Sequence, residues 1–445
     1  MKFACESLFG IIEAVCGSVA MKRRVVVVGS GAGGATVAKE LASAGIDVTL
    51  IERGARVEGK DAFKCYANVH SAVEIMRAFC LGGTTMVSVG NGVRALREEI
   101  QQFGIRLNYE EVERDLGVRL LPESLIGEGT RRIAASAEKL GFKVERMPKF
   151  IAAEKCTQDG RCAFGCPSSA KWTALNFVES AERSGARVLT EMLVEEIVVR
   201  GGEVKGVLAR STARSRTNSK FIEADAVVLS AGALETPLLL QKASLPTSSS
   251  SLFVDTFVTV GGVLADSEDI GVKEKMKEAR MNFSKEVPMS ILIQFKNFIL
   301  SPHFSRGLLT ALKQKGINAN PASILGIMVK IKDEENGKIL ADGSVEKGIS
   351  PTDAEILTEG ASIAGAILVN AGVNPNSLVT TAPRGAHPGG TAKIGVSVDR
   401  NLETEASGLF VADASLLPKA PGAPPILTIV ALAKHAAEVL MEYVN

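Results

Sequence analysis

The chemistry available to this chain first shows in its glycines. Gly29, Gly31 and Gly34 stand in the order GxGxxG, with Gly33 beside them, directly after the β-branched run Val25 to Val28. That spacing suits a dinucleotide. Gly29 permits a tight turn, Gly31 lets backbone approach a pyrophosphate, and Gly34 lets the next helix pack on the strand. The helix start then offers free N–H groups and a partial positive charge to phosphate. A second strand, Asp47 to Ile51, ends at Glu52, whose carboxylate can accept from ribose hydroxyls. Strand, glycine turn, helix, strand and acid in that order point to a nucleotide site and leave NAD and FAD both open.

Two distant segments bear on the choice. Gly82-Gly83-Thr84-Thr85 is a second glycine turn with hydroxyl groups, suited to another part of an extended cofactor. Gly408 to Asp413 reads as a short strand whose terminal acid could reach a ribityl or pyrophosphate region. A third group is made of thiols: Cys156, Cys162 and Cys166 are spaced C-x5-C-x3-C. Three thiolates could hold an iron–sulfur cluster, although this is not the ferredoxin spacing and no fourth ligand stands nearby. The alternatives are loop thiols or one disulfide.

The elements that position these groups belong to a large globular protein. At 445 residues the chain exceeds one core, and two joined domains are expected. Lys plus Arg (51) and Asp plus Glu (50) cancel, which gives no global attraction to nucleic acid. The basic stretch Arg210 to Lys220, with Arg214 and Arg216, reads as a solvated hairpin loop. Seven cysteines (Cys5 and Cys16, Cys65 and Cys80, and the three above) are an odd number and point to a reducing compartment. No apolar run approaches the ~20 residues that cross a bilayer. Glu13 interrupts the apolar stretch before Met21, so residues 1–20 make a poor signal peptide, Met21 is the expected start, and the cytoplasm the expected location. Leu252 to Val260, Ile291 to Ile299 and Ser323 to Ile331 read as strands. A helix is predicted from Thr352, with Glu355 completing a capping box, to just before Gly372. The single tryptophan, Trp172, is read as core packing.

With these motifs in view, the sequence resembles the glucose–methanol–choline family of FAD-dependent oxidoreductases, in order from about Val25 to the end. The opening glycine motif, Leu81-Gly82-Gly83-Thr84-Thr85, Gly232-Ala233-Leu234-Glu235-Thr236-Pro237 and His387-Pro388-Gly389-Gly390-Thr391 match family patterns. Cys162 to Pro167 with Lys171 resembles the long-chain alcohol and sugar dehydrogenase branches. The resemblance implies an α/β fold: a Rossmann-type FAD domain over residues 21–250 and 385–445, with a sheet-containing α+β substrate domain inserted at 251–384. It implies FAD contacts at Gly29, Gly31, Gly33, Gly34, Glu52, Arg53, Gly82, Gly83, Thr84, Val194, Gly232, Asp413, Ala414 and Thr428. His387 becomes the expected base, taking a hydroxyl proton while hydride passes from the carbinol carbon to flavin N5. An imidazole of ordinary pKa ~6.5 suits that task. His70, His303 and His435 carry no motif.

The expected activity is dehydrogenation of a neutral or lipid-like alcohol, with electrons passed to an acceptor other than oxygen, a protein or a quinone. Two departures stand out. The family usually places Asn or a second His where this chain has Pro424, which offers no donor, and Ser88 replaces a frequent Asn, with Asn91 close by. A flavoprotein reductase and a catalytically degenerate FAD-binding electron-transfer subunit therefore remain as alternatives.

Overall fold

The computed structural model describes residues 23–213, 218–265 and 286–444. The expectations for Cys5, Cys16, Met21, Arg214 and Arg216 lie outside the described residues. β1 (Arg24–Val28) is buried from Val25 onward, because apolar side chains project from both its faces and both are covered. It turns through the glycines into α1 (Ala32–Ser43), which ends at Gly45 in the left-handed region (φ 81°), and returns as β2 (Asp47–Ile51). Next come β3 (Arg187–Leu189) and an antiparallel layer of β4 (Met192–Arg200), β5 (Glu203–Ser211) and β6 (Lys220–Glu223). The chain re-enters the first sheet as β7 (Ala226–Leu229).

A second sheet follows: β8 (Thr256–Val263), β9 (Ile291–Gln294), β10 (Phe298–Pro302) and β11 (Ile324–Ile331). The run Ile291 to Ile299 is thus two strands of a hairpin, since Lys296 and Asn297 break the apolar pattern at its turn. α2 (Pro351–Asn370) is capped by Ser350, whose side chain accepts from Asp353 N–H, in place of the Thr352/Glu355 box. β12 (Leu409–Val411) and α3 (Ile426–Val444) close the chain.

The first sheet is wholly parallel in the order β12-β7-β1-β2-β3, so both ends of the chain build one nucleotide-binding layer. The second is mostly antiparallel, and short edge strands at 74–75, 384–385 and 145–146 extend it. Its two faces differ. Ile327, Val329 and Ile331 of β11 pack with Leu357, Ala364 and Ile367 of α2. The alternate residues Met328 and Lys330 take the other face, opposite Thr259 and Phe257 of β8. That second face looks onto a cavity, which Met328, Lys330 and Phe257 line.

Candidate functional site

A cavity of about 1000 Å³ runs from the glycine turn of β1 to the second sheet. Its nucleotide end is built by close backbone packing. A Cβ on Gly29 would lie 2.2 Å from Ser230 O, on Gly33 1.7 Å from Ala412 O, and on Gly34 1.9 Å from Gly29 O. Those three glycines let the turn close. Gly31 differs: a Cβ there would meet no atom within 4 Å, and the residue lines the cavity. The open space lies at the start of α1, where free N–H groups favour phosphate.

Two acids hold this end in shape. Buried Glu52 accepts from Ser30 N–H (3.0 Å) and Oγ (2.6 Å), and from Gly54 N–H (2.8 Å). Asp413 accepts from Gly232 N–H (2.8 Å), Thr236 Oγ (2.6 Å) and Ser415 N–H (2.8 Å). Burial pushes both carboxyl pKa values up, and these donors oppose the shift. Both acids line the cavity, yet their visible work is to fix the turns at Ser30 and Gly232. Gly82 N–H donates to Ser30 Oγ at 3.0 Å, which ties the second glycine turn to the first. Arg53 and Arg77 lie over the Phe79 ring and share Glu235 Oε1 at 3.1 and 2.7 Å.

Of the sequence-predicted positions, Gly29, Gly31, Gly33, Glu52, Arg53, Gly83, Thr84, Val194, Gly232, His387, Asp413 and Ala414 line one cavity. Gly34 and Gly82 stand behind its wall. Thr428 is absent from the lining: its hydroxyl donates to Ala95 O (2.8 Å) and lies 2.9 Å from Tyr109 Oη, anchoring α3. Cys156, Cys162 and Cys166 are also outside it. Among the described residues no three His, Cys, Asp or Glu side chains gather as a metal-holding group, so the cluster expectation finds no assembled ligand set. The cysteine segment is fastened instead by buried Lys171, which donates to Met86 O, Ser88 O and Cys162 O. Trp172 packs edge-on to Phe150 and Phe177.

At the other end His387 lines the cavity with its side chain 20% exposed. Its Nδ1 lies 2.8 Å from Asp255 Oδ2, and Asp255 Oδ1 accepts from Gly422 N–H at 2.8 Å. Asp255 is held in the left-handed region (φ 49°), and its own N–H donates to Asp333 Oδ1 at 2.7 Å. Asp333 pairs in turn with fully buried Lys347 at 2.9 Å. A carboxylate on Nδ1 places the proton there and leaves Nε2 as the free acceptor. Burial and the Lys330 cation hold the His387 pKa below the ordinary histidine value, against the pull of Asp255.

Sequence reasoning missed three residues here. Asp255 lies between apolar runs with no motif around it. His303 joins the lining through a hydrogen bond to Thr259 Oγ (2.9 Å), and burial pushes its pKa down to about 4. Lys330 gave the one readable signal, a lone cation in the otherwise apolar strand β11. Around them the wall is apolar, with Met76, Val89, Phe257, Met289 and Met328. Pro424 and Pro425 also line it. Two buried polar atoms of lining residues, Ser88 Oγ and Asn68 Oδ1, lack a hydrogen-bond partner among the described residues. Open space at Gly31, a long cavity and unsatisfied polar atoms along it fit an extended dinucleotide.

Comparison with known proteins agrees. The GMC oxidoreductase N-terminal and C-terminal family patterns match residues 13–269 and 347–433. The chain is 34% identical to an uncharacterised protein of Methanocaldococcus jannaschii, over 92% of this chain and 97% of that one. It is 25% identical to a long-chain-alcohol oxidase of Arabidopsis thaliana, over 97% of this chain and 69% of that one. Among solved structures, pyridoxine 4-oxidase from Mesorbium loti superposes with a TM-score of 0.68 at 16% identity, covering 95% of this chain and 99% of that one. A formate oxidase gives 0.70 at 15% identity, with the same coverage. The chain belongs to the GMC oxidoreductase family, and its cofactor is FAD.

Proposed function

We propose that this flavoprotein oxidises the CH–OH group of a neutral, apolar alcohol, with His387 as the base. The observation that carries the reading is the Asp255–His387 pair, whose free Nε2 belongs to a ring lining the cavity. FAD, when bound, supplies the acceptor for the hydride lost from the carbinol carbon. Gly31, the start of α1, Gly83, Thr84 and Gly232 would hold it by backbone approach, with Glu52 and Asp413 fixing their turns. His387 Nε2 takes the hydroxyl proton, and Asp255 stabilises the imidazolium that results. Met76, Val89, Phe257, Met289 and Met328 exclude water and favour an alkyl substrate. The Arabidopsis thaliana relative is named for a substrate of that chemistry, which supports the choice. Electrons then leave to a quinone or protein acceptor.

The test is anaerobic mixing with 1-alkanols of increasing length while the visible flavin absorbance is followed. Wild type bleaches. His387→Ala retains its flavin and bleaches at least about 100-fold more slowly. Wild-type rates in that variant would refute the base, and bleaching only by a nicotinamide donor would refute the alcohol reading.

A further inference from the structure

We propose that Lys330 is a catalytic residue: its ammonium group binds the substrate oxygen beside His387, in the role that Pro424 leaves empty. The inference rests on the alcohol reading above and on four observations. Lys330 is 2% exposed and lines the cavity together with His387. Among the described residues its Nζ has no hydrogen-bond partner, unlike the buried Lys149, Lys171 and Lys347, each of which donates to carbonyl oxygens. The Nζ is therefore not sealed in the core but opens on the cavity, and an ammonium that no protein group accepts from there points to a ligand that does.

Register gives the third observation. Lys330 pairs with Phe257 across β8 and β11, and Asp255 precedes Phe257 by two residues. Lys330 therefore stands at the His387–Asp255 end of the sheet, and its charge acts on both groups: it lowers the His387 pKa, while Asp255 opposes the loss of charge on Lys330. The fourth is the apolar surround, in which Phe257, Met289 and Met328 form one cluster. The only substrate atom in need of a polar partner there is the reacting oxygen.

The proton balance is closed. The hydroxyl proton moves to His387 Nε2, Lys330 keeps its protons throughout, and FAD, when bound, would supply the acceptor for the hydride. Its charge stabilises the negative charge that develops on the substrate oxygen as the hydroxyl proton departs. Two donors on Asn or a second His would do similar work; a cation does it more strongly when water is excluded.

The test uses a ligand that is not turned over. Octanoate has an alkyl tail for the methionine wall and a carboxylate for Lys330. Its binding to the FAD-loaded protein is read as a shift of the visible flavin spectrum, titrated at pH 7. Lys330→Met should weaken octanoate by about 10- to 100-fold while flavin content is kept and the thermal midpoint does not fall. In wild type, affinity should fall as pH rises through about 8, where burial places the Lys330 pKa. Asp255 and His387 act on it, and His303 and the Arg384 cation line the same cavity; His387, held below its ordinary value, and His303, held at about 4, are neutral on both sides of pH 8. Lys330→Arg should keep the affinity and flatten the pH dependence. Equal octanoate affinity in Lys330→Met, an unaltered pH profile in Lys330→Arg, or no octanoate-dependent shift in wild type would each overturn the assignment. Failure of 1-octanol to bleach the wild-type flavin would count against the alcohol reading alone, because the octanoate titration needs no turnover.

Discussion

Asp255 divides its carboxylate between two partners: Oδ1 takes Gly422 N–H at 2.8 Å and Oδ2 faces His387 Nδ1 at 2.8 Å. The split makes Asp255→Asn informative. Gly422 N–H demands an acceptor, so the amide oxygen must stay on that side. The NH₂ group then faces Nδ1, forces Nδ1 to accept, and moves the imidazole proton to Nε2. The base is lost without loss of shape. The variant should keep full flavin content and reduce its flavin with alkanol about 10²- to 10⁴-fold more slowly. A rate within threefold of wild type would remove Asp255 from the mechanism.

Gly31 offers a test of the nucleotide end that is separate from turnover. Because its Cβ would meet nothing within 4 Å, Gly31→Ala should fold normally. The methyl group would stand where a pyrophosphate must approach, so flavin content should drop by at least about tenfold. Gly33→Ala makes the contrast: its Cβ would strike Ala412 O at 1.7 Å, and soluble expression itself should suffer. Equal flavin occupancy in wild type and Gly31→Ala, by absorbance after acid precipitation, would place the phosphates elsewhere.

Legibility in the sequence followed the range of each interaction. The glycine turn, α1 and β2 were readable because their pattern is local, each residue acting on backbone close to it. The parallel pairing of β7 and β12 with the N-terminal strands was readable only through motifs at a distance. The hairpin within residues 291–302 was hidden, since both of its strands are apolar and its turn is short. Thr428 was expected at the flavin only through the family resemblance, and in the structure its hydroxyl meets Ala95 and Tyr109. Asp255 could not be found: its meaning comes from Gly422 and His387, both remote in sequence. Lys330 was written plainly into Ile324 to Ile331, and a cation in such a strand needs a reason.

The acid limb of the reaction should report the environment of His387. Only the neutral ring can take a proton, so the rate falls as pH drops through its pKa. Burial and Lys330 both lower that pKa, which places the limb below the ordinary value of 6.5. Lys330→Met removes the neighbouring cation and should move the limb upward; Asp255→Asn removes the anion and should move any residual limb downward. Flavin reduction rates with 1-octanol between pH 5 and 8 measure both. Limbs that coincide in wild type and Lys330→Met would show that Lys330 does not act on the ring.

Lys330 should also cost the fold stability, with a sign that pH reveals. Burial lowers its pKa to about 8 from an ordinary 10.5. Between those values the unfolded chain binds the extra proton and the native protein does not, so this group makes stability rise as pH increases. Below about 8 both states hold the proton and the full penalty of burying the charge is present. Lys330→Met, similar in shape but neutral, should therefore raise the thermal midpoint at pH 6, by about 2 °C for a large domain. The gain should shrink above pH 8 and vanish near 10.5. A stabilised variant with weakened ligand binding is the signature of a residue kept for chemistry at the expense of packing. A Lys330→Met protein less stable than wild type at pH 6 would mean that the amine serves the fold.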